Sequence, residues 1–414
     1  MLSLPPVLVY SKLTIGHRQI YCNVLAGYFL DHGHAVTIAV GVDADERVPY
    51  IEALRGRANL QIVYLDRQSD LDAPQAEIAA IRRLQDPTGL TFFPDGDQVR
   101  HTLKELARLG QKPEFVGRIE QLFLHHGSLA PWLRRGTGLK PHVSIGRRLR
   151  ELRADLLFFR RYLSQLPVDV VSYSLDPRFV GLIRHPQVRW LPDIYRAFEP
   201  EPDAMAQDDL LAAMQEFLHG QSDQNRDILL YYGTNQDRRG YEWLLRLAVE
   251  QPATAVLHCG KLNLQRSMSA VSQGYRERLQ AQGRMFETAG FITDERVTAQ
   301  AYQSCKYVLL PYIGHYGSSG IQIQAASYGR PSLLPDDGLM AYWARRFHCG
   351  LTFRSGSYPA FAAGYSRIRQ TYQQYGPATP PFVALFSKAN LYRHLDTARL
   401  PARPPVLHAA PAQQ

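Results

Sequence analysis

Cysteine is scarce. Only Cys22, Cys259, Cys305 and Cys349 occur in 414 residues, far apart and without a Cys-x-x-Cys spacing. That excludes a disulfide framework and a zinc ribbon, and points to buried thiols in a reducing compartment. No run of about 18 apolar residues exists, so no membrane-spanning helix is expected. The opening Met1-Leu2-Ser3-Leu4-Pro5-Pro6 has neither a basic start nor a long apolar stretch, so a signal peptide is not expected. No histidine cluster has ligand spacing, and no metal is expected. Recognised nucleic-acid motifs are missing, and the basic residues are not interleaved with aromatics, so nucleic acid is not an expected partner. The expectation is a cytoplasmic protein.

What is present is core material. With 45% hydrophobic residues over 414 positions, the chain is too long for one ordinary domain. Two domains of about 200 residues each are the natural division. Val7 to Tyr10 reads as a strand, and Gly16 and His17 lie in the loop after it. Ile20, Val24, Leu25, Tyr28 and Phe29 recur at helical spacing, and Ala35 to Val40 reads as the next strand. A strand-helix-strand opening predicts a parallel sheet. Gln61 to Leu65 reads as a third strand. From about 75 to 165 the pattern reads as helical, with Phe115, Ile119, Leu122 and Phe123 on one helical face. Strands return at Val168 to Tyr173 and Val188 to Leu191. Pro200, Pro202 and the acidic pair Asp208-Asp209 read as a linker.

Beyond the linker, strands alternate with helices again: strands at Ile228–Tyr232, Thr254–Leu257, Phe286–Phe291, Val308–Leu310 and Ser332–Leu334, helices at 241–248, 297–304 and 321–328. The expected fold class is therefore α/β, two doubly wound Rossmann-like domains facing a cleft. The expected boundaries are 1–205 for an acceptor-side domain with a helical basic insertion and 225–380 for a nucleotide-sugar-binding domain. A helix at 381–400 is expected to pack back on the first domain, and the Pro- and Ala-rich tail 401–414 is expected to be disordered.

The net charge is +9, and it is concentrated. Between Arg134 and Arg161 stand nine basic residues against Glu151 and Asp155, a balance of +7. Such a segment suits an anionic partner or a solvated helical face. An anionic membrane surface is one such partner, and peripheral attachment to the inner face of a membrane would follow.

Ligands of open parallel sheets bind outside the carboxyl ends of the strands. The second domain places its unusual residues there. Gly233-Thr234-Asn235-Gln236-Asp237-Arg238-Arg239-Gly240 follows its first strand, with a glycine for a tight turn and arginines able to grip a diphosphate. Pro311 to Gly320 precedes a helix and carries Gly314, Gly317, Gly320, Ser318 and Ser319. Its glycines let backbone approach a ligand, and the helix start favours an anion. A serine there is also a plain N-cap candidate.

Taken together, Gly290-Phe291-Ile292, Val308-Leu309-Leu310-Pro311 and the run from Ser318-Ser319-Gly320 through Gln324-Ala325-Ala326-Ser327-Tyr328-Gly329-Arg330-Pro331 resemble the donor-binding half of retaining GT-B glycosyltransferases. Gly233 with Arg239-Gly240 resembles that family's diphosphate loop. The similarity runs from Gly233 to about Gly350. It implies a nucleotide-diphosphate sugar as donor, a sugar or lipid-linked acceptor, no cofactor, and a role in polysaccharide or glycolipid synthesis. On this resemblance Gly233, Thr234, Arg239, Gly290, Phe291, Ile292, Tyr316, Ser318, Ser319, Gly320 and Gln324 are the donor-binding candidates. Gly16 is the acceptor-side candidate, and Asp193 and His17 are the catalytic candidates. The sequence departs from the family at Gln324, where a glutamate is usual, and at Thr234, where an arginine is. The family's other glutamate falls near Tyr316 or Gly317, and Asp193 stands where the family has a histidine. Those departures keep two alternatives open: a catalytically degenerate scaffold or partner subunit, and a sugar-nucleotide epimerase on the same fold.

Overall fold

The computed structural model describes residues 4–14, 18–43, 46, 48–111, 113–123, 168–183, 185–194, 206–235, 237–262, 268–288, 290, 292–376 and 379–397. The basic run Arg134–Arg161, Gly16, His17, Phe291 and the tail 401–414 lie outside the described residues.

The N-terminal half is one parallel sheet built from β1 (Val7–Ser11), β2 (Val36–Val42), β3 (Leu60–Asp66), β4 (Leu90–Phe93), β5 (Arg118–Phe123), β6 (Val170–Ser174) and β7 (Val188–Trp190). The strand order is β3-β2-β1-β4-β5-β6-β7, so the direction of winding reverses between β1 and β4. Its helices are α1 (Arg18–Asp31), α2 (Pro49–Glu52), α3 (Pro74–Leu84), α4 (Gly96–Arg108) and α5 (Pro177–Ile183). β1 and β4 are buried along their whole length, as central parallel strands covered on both faces must be.

Two sequence expectations are corrected here. The segment read as helical contains β4 and β5. Ile119 and Leu122, placed on a helical face, are instead buried strand residues, and Gln121 between them donates to Ser172 on β6 at 3.1 Å. β4, buried throughout, lacks the alternation that identifies strands, and in β5 the buried Gln121 breaks it, so the spacing of Ile119 and Leu122 mimics a helix. The acidic pair read as linker is also structured: Asp208 and Asp209 open α6 (Asp208–Asp223), where negative charge suits a helix N-terminus.

The C-terminal half carries β8 (Asp227–Tyr232), β9 (Thr254–Cys259), β10 (Met285–Glu287), β11 (Val308–Leu309), β12 (Ser332–Pro335) and β13 (Gly350–Phe353). They form two parallel ladders, β10-β9-β8 and β11-β12-β13, with β8 alongside β11. β10 ends at Glu287, shorter than the strand expected through Phe291. Here too the order reverses, between β8 and β11. The helices are α7 (Tyr241–Glu250), α8 (Ala270–Ala281), α9 (Glu295–Gln303), α10 (Gly320–Ser327), α11 (Gly338–Phe347) and α12 (Tyr358–Thr371). Met214 of α6 is buried with Ile228, Leu230 and Val297, so α6 belongs to this core.

The last helices, α13 (Thr379–Ala384) and α14 (Lys388–Thr397), return to the first domain. Tyr28 Oη donates to Asp396 at 2.5 Å, and Tyr392 packs edge-on against Tyr28 at 4.8 Å. This explains α1, which is buried from Ile20 through Leu30: the sheet covers one side and returning helices cover the other. One apolar cluster joins the halves, uniting Leu175, Leu191, Leu339, Trp343, Phe382 and Phe386. Among the described residues no helix is long and apolar enough to cross a membrane.

The return of α14 is expected to be pH-sensitive. His394 sits edge-on to Trp190, ring centres 4.6 Å apart, and burial, helped by Arg393, pushes its pKa down to about 4. The fold therefore favours neutral imidazole. In the unfolded chain the group titrates near its ordinary value of about 6.5. Its contribution is complete above that value and is lost as pH falls toward 4, a cost of about 1–2 kcal/mol after allowing for partial solvent access. The melting temperature should fall between pH 6.5 and 4, and His394→Phe should flatten that slope. An unchanged slope in the variant would assign the acid lability elsewhere.

Candidate active site

The site is assembled where the second sheet reverses its winding. β8 runs out at Tyr232, and Gly233 follows with φ +103, a conformation open to glycine. A Cβ added there would overlap Arg239 Nη1, so the guanidinium lies directly across the glycine backbone. The intervening chain makes a single turn of 3-10 helix, Asp237–Arg239, and Gly240 at φ +68 starts α7. A Cβ on Gly240 would overlap the Pro311 carbonyl at the end of β11. The loops after β8 and β11 are also tied by a hydrogen bond from Ile313 N to Arg238 O, 2.7 Å.

The floor of the Gly233 turn is buried and polar. His258, fully buried on β9, donates from Nε2 to Gly233 O at 3.1 Å. Its other ring nitrogen faces Tyr241 Oη at 3.4 Å and Glu287 at 3.8 Å. Burial alone would raise the Glu287 carboxyl, but His258 and the Arg276 guanidinium outweigh it and hold its pKa at about 2. Arg276 reaches Glu287 Oε2 at 2.6 Å. Gly260 at the end of β9 packs so closely that a Cβ would lie 2.6 Å from the Gly233 carbonyl.

In the loop after β11, His315 Nε2 donates to Ser318 O at 2.8 Å. Ser319 is buried and caps α10, accepting from Gln322 N. Its hydroxyl is thus engaged as a cap, while the first free N–H groups of α10 point out of the turn. Tyr316, Ser318 and Gly317 are half-buried and Gly320 is exposed. Gln324, one turn into α10, accepts from Tyr302 Oη at 3.0 Å. Tyr302 stacks on Tyr328 with centroids 5.2 Å apart and leans on Tyr232, the last residue of β8, at 5.2 Å. Thr234 O accepts from Tyr231 Oη at 3.2 Å, Gly290 is half-buried and Ile292 is buried. The structure therefore gathers Gly233, Arg239, Tyr316, Ser318, Ser319 and Gln324 around the β8–β11 carboxyl edge.

The facing edge of the N-terminal sheet holds a second cluster. Asp193 accepts a hydrogen bond from Tyr21 Oη. Tyr21 is buried, and burial first, then Asp193 and Asp95, raises its pKa well above the usual tyrosine value. Asp95 pairs through Oδ2 with Arg18, while its buried Oδ1 has no hydrogen-bond partner among the described residues. Asp95 was not a sequence candidate. It stands between Pro94 and Gly96 at the turn from β4 into α4, and its signal was hidden because β4 reads as helix. Three Asp-x-Asp triplets stand in the sequence of this half, Asp43-Ala44-Asp45, Asp70-Leu71-Asp72 and Asp95-Gly96-Asp97. Asp43 pairs with Arg67 at 3.3 Å, and no group of three metal-ligating side chains occurs among the described residues.

No protein-family model and no curated protein matches this sequence. Solved structures do match in fold. Sucrose-phosphate synthase from Thermosynechococcus elongatus aligns over 95% of this chain and 98% of its own, with TM-score 0.64 and 16% identity. HepE from Anabaena, in complex with UDP and glucose, aligns over 95% and 98%, with TM-score 0.61 and 12% identity. WaaG, a glycosyltransferase involved in lipopolysaccharide biosynthesis, aligns over 95% and 98%, with TM-score 0.57 and 11% identity. The chain has the GT-B fold. The GT-B alignments extend over both domains, whereas the sequence resemblance was confined to the second.

Proposed function

We propose that the protein is a glycosyltransferase that moves a sugar from a nucleotide-diphosphate sugar to an acceptor hydroxyl, with retention at the anomeric carbon. The observation that supports it most is the Arg239 guanidinium laid over Gly233 at the β8–β11 reversal, in a loop tied through Arg238 to the one that leads into the capped start of α10. A diphosphate leaving group gathers negative charge as the anomeric C–O bond breaks, and fixed donors there stabilise that charge. Arg239 and the α10 N–H groups grip the diphosphate. Gln324 and Tyr316 orient ribose and sugar. The acceptor oxygen bonds to the anomeric carbon, and its proton leaves on the departing diphosphate oxygen. On the acceptor side, Asp193 borders the cleft and Asp95 Oδ1 takes the acceptor hydroxyl, because a buried carboxylate oxygen without a donor among the described residues is costly; His17 and Gly16 are sequence candidates outside the described residues. Proximity carries much of this step.

Because HepE is described with UDP and UDP-glucose, UDP is the first nucleotide to test. UDP at a hundredfold excess over its dissociation constant should stabilise the native state by about 2.7 kcal/mol. A thermal melt should rise accordingly. No shift with millimolar UDP, GDP or ADP would refute the reading. Neutral Gln324 and Thr234, where the related family has charges, support the scaffold alternative, which expects a shift without turnover.

The acceptor reading extends to a lipid surface. The +7 segment Arg134–Arg161, flanked by Trp132 and Leu133, supplies attraction to anionic lipid. The screening length falls from about 10 Å at 0.1 M salt to about 3 Å at 1 M. Co-sedimentation with anionic liposomes should therefore appear at low salt and vanish at high salt. Replacing Arg147, Arg148, Arg150 and Arg153 with glutamine should abolish it and spare nucleotide binding. Equal sedimentation with neutral liposomes, or none at low salt, would leave the segment a solvated face.

A further inference from the structure

The N-terminal domain reaches across to the donor loop through one arginine. Asp176, just past the end of β6, receives Arg178 Nε at 2.9 Å and Nη2 at 2.6 Å. The same carboxylate accepts the Arg178 backbone N–H at 2.9 Å. Both groups are largely buried, with side chains 10% and 18% exposed, so the guanidinium plane is held firmly. Its remaining nitrogen, Nη1, crosses the domain boundary and donates to Gly338 O at 3.0 Å. The guanidinium also lies 5.2 Å from the ring centre of Tyr342, one turn further along α11.

Gly338 is where the donor loop rests. Its φ is +78, and a Cβ there would lie 2.8 Å from Tyr316 Cα and 3.1 Å from His315 O. Leu339 N donates to Tyr316 O at 2.9 Å. Met340 O, one residue on, accepts from Gln322 Nε2 on α10 at 3.2 Å. The start of α11 thus touches both the 311–320 loop and α10, while Arg178 grips that start from the opposite domain.

We propose that Arg178 is a positioning residue for the donor site: anchored by Asp176, it holds Gly338, and through Gly338 it keeps the Tyr316 loop in its nucleotide-binding shape when the cleft is closed. This rests on the nucleotide-sugar reading above. A residue of the acceptor-side domain then sets donor affinity without touching the donor. The coupling is reciprocal, so nucleotide binding favours the closed cleft. Lysine is a poor substitute, since one ammonium cannot keep the bidentate pair and also reach Gly338 in a fixed direction.

The test is titration of the full chain with UDP, in wild type, Arg178→Gln and Arg178→Lys. Arg178→Gln should weaken UDP binding by about 5- to 20-fold, the lower part of the usual range for coupling between sites. Arg178→Lys should fall between it and wild type. Both should keep the circular dichroism of the unliganded protein, while Arg178→Gln should melt lower because it leaves the largely buried Asp176 carboxylate unpaired. Small-angle scattering should show UDP compacting wild type and compacting Arg178→Gln less, a response that a merely structural arginine would not alter. If Arg178→Gln does not fold, Arg178→Lys carries the same comparison. Wild type that binds UDP alongside folded variants of equal affinity and equal compaction overturns this proposal alone. Wild type that binds none of UDP, GDP and ADP overturns it together with the nucleotide-sugar reading.

Discussion

Arg239→Ala should lower nucleotide-diphosphate affinity by roughly 10- to 100-fold while leaving the unliganded fold intact. A hydrogen bond to a charged partner is worth about 1.5–3 kcal/mol, which sets that range. The fold should survive because the side chain is half-buried, lies over a glycine and sits in a strand-end loop. Arg239→Lys should recover part of the loss, since lysine keeps the charge and loses the planar fork. Gly233→Ala is the matched variant. Its methyl group would displace the guanidinium, which is the flexible end of a side chain, so it too should act on affinity, and because φ is +103 it should also cost fold stability, which Arg239→Ala should not. Isothermal titration with UDP measures both. Unchanged affinity in a folded Arg239→Ala would remove the arginine from the site.

Gly240→Ala should act on the fold. Here the added methyl meets backbone, the Pro311 carbonyl, which cannot swing away as a side chain does. The position also has φ +68, a left-handed conformation that costs a non-glycine residue about 1–2 kcal/mol. Overpacking adds about 1–3 kcal/mol. Together these make a loss of about 2–5 kcal/mol, enough to lower the melting temperature by several degrees. Because Gly240 joins the loops after β8 and β11, nucleotide binding should fall with stability. A Gly240→Ala protein as stable as wild type would mean that the two loops do not meet as described.

These two glycines also mark what was legible in the sequence. The alternation of short apolar runs with 3.6-residue patterns located most strands of both domains, because parallel strands and their helices differ in period and length. The turns at Gly233 and in the Gly-rich run before α10 were legible because turns at strand ends need glycine. The buried centre of the first sheet was not. β4 is short and buried throughout, and in β5 the buried position between Ile119 and Leu122 is a polar Gln121, so neither shows an apolar alternation; reading them as helix concealed Asp95 at the end of β4. His258 was equally hidden, since a histidine inside an apolar strand announces no partner. Only the fold places its Nε2 on the Gly233 carbonyl. The link from Arg178 to Gly338 spans the two domains, and no local pattern records such a contact.

The central claim is that this GT-B protein breaks the bond between an anomeric carbon and a nucleotide diphosphate. Proton NMR of the full chain with UDP-glucose, followed by GDP- and ADP-linked sugars, tests it directly by monitoring free nucleotide and the first anomer released. With an α-linked donor, the expected result is nucleotide release accompanied by the α-anomer before it equilibrates, and loss of both in Arg239→Ala. Binding of nucleotide with no release from any donor, with or without added sugar acceptors, would contradict the claim and leave a nucleotide-binding scaffold.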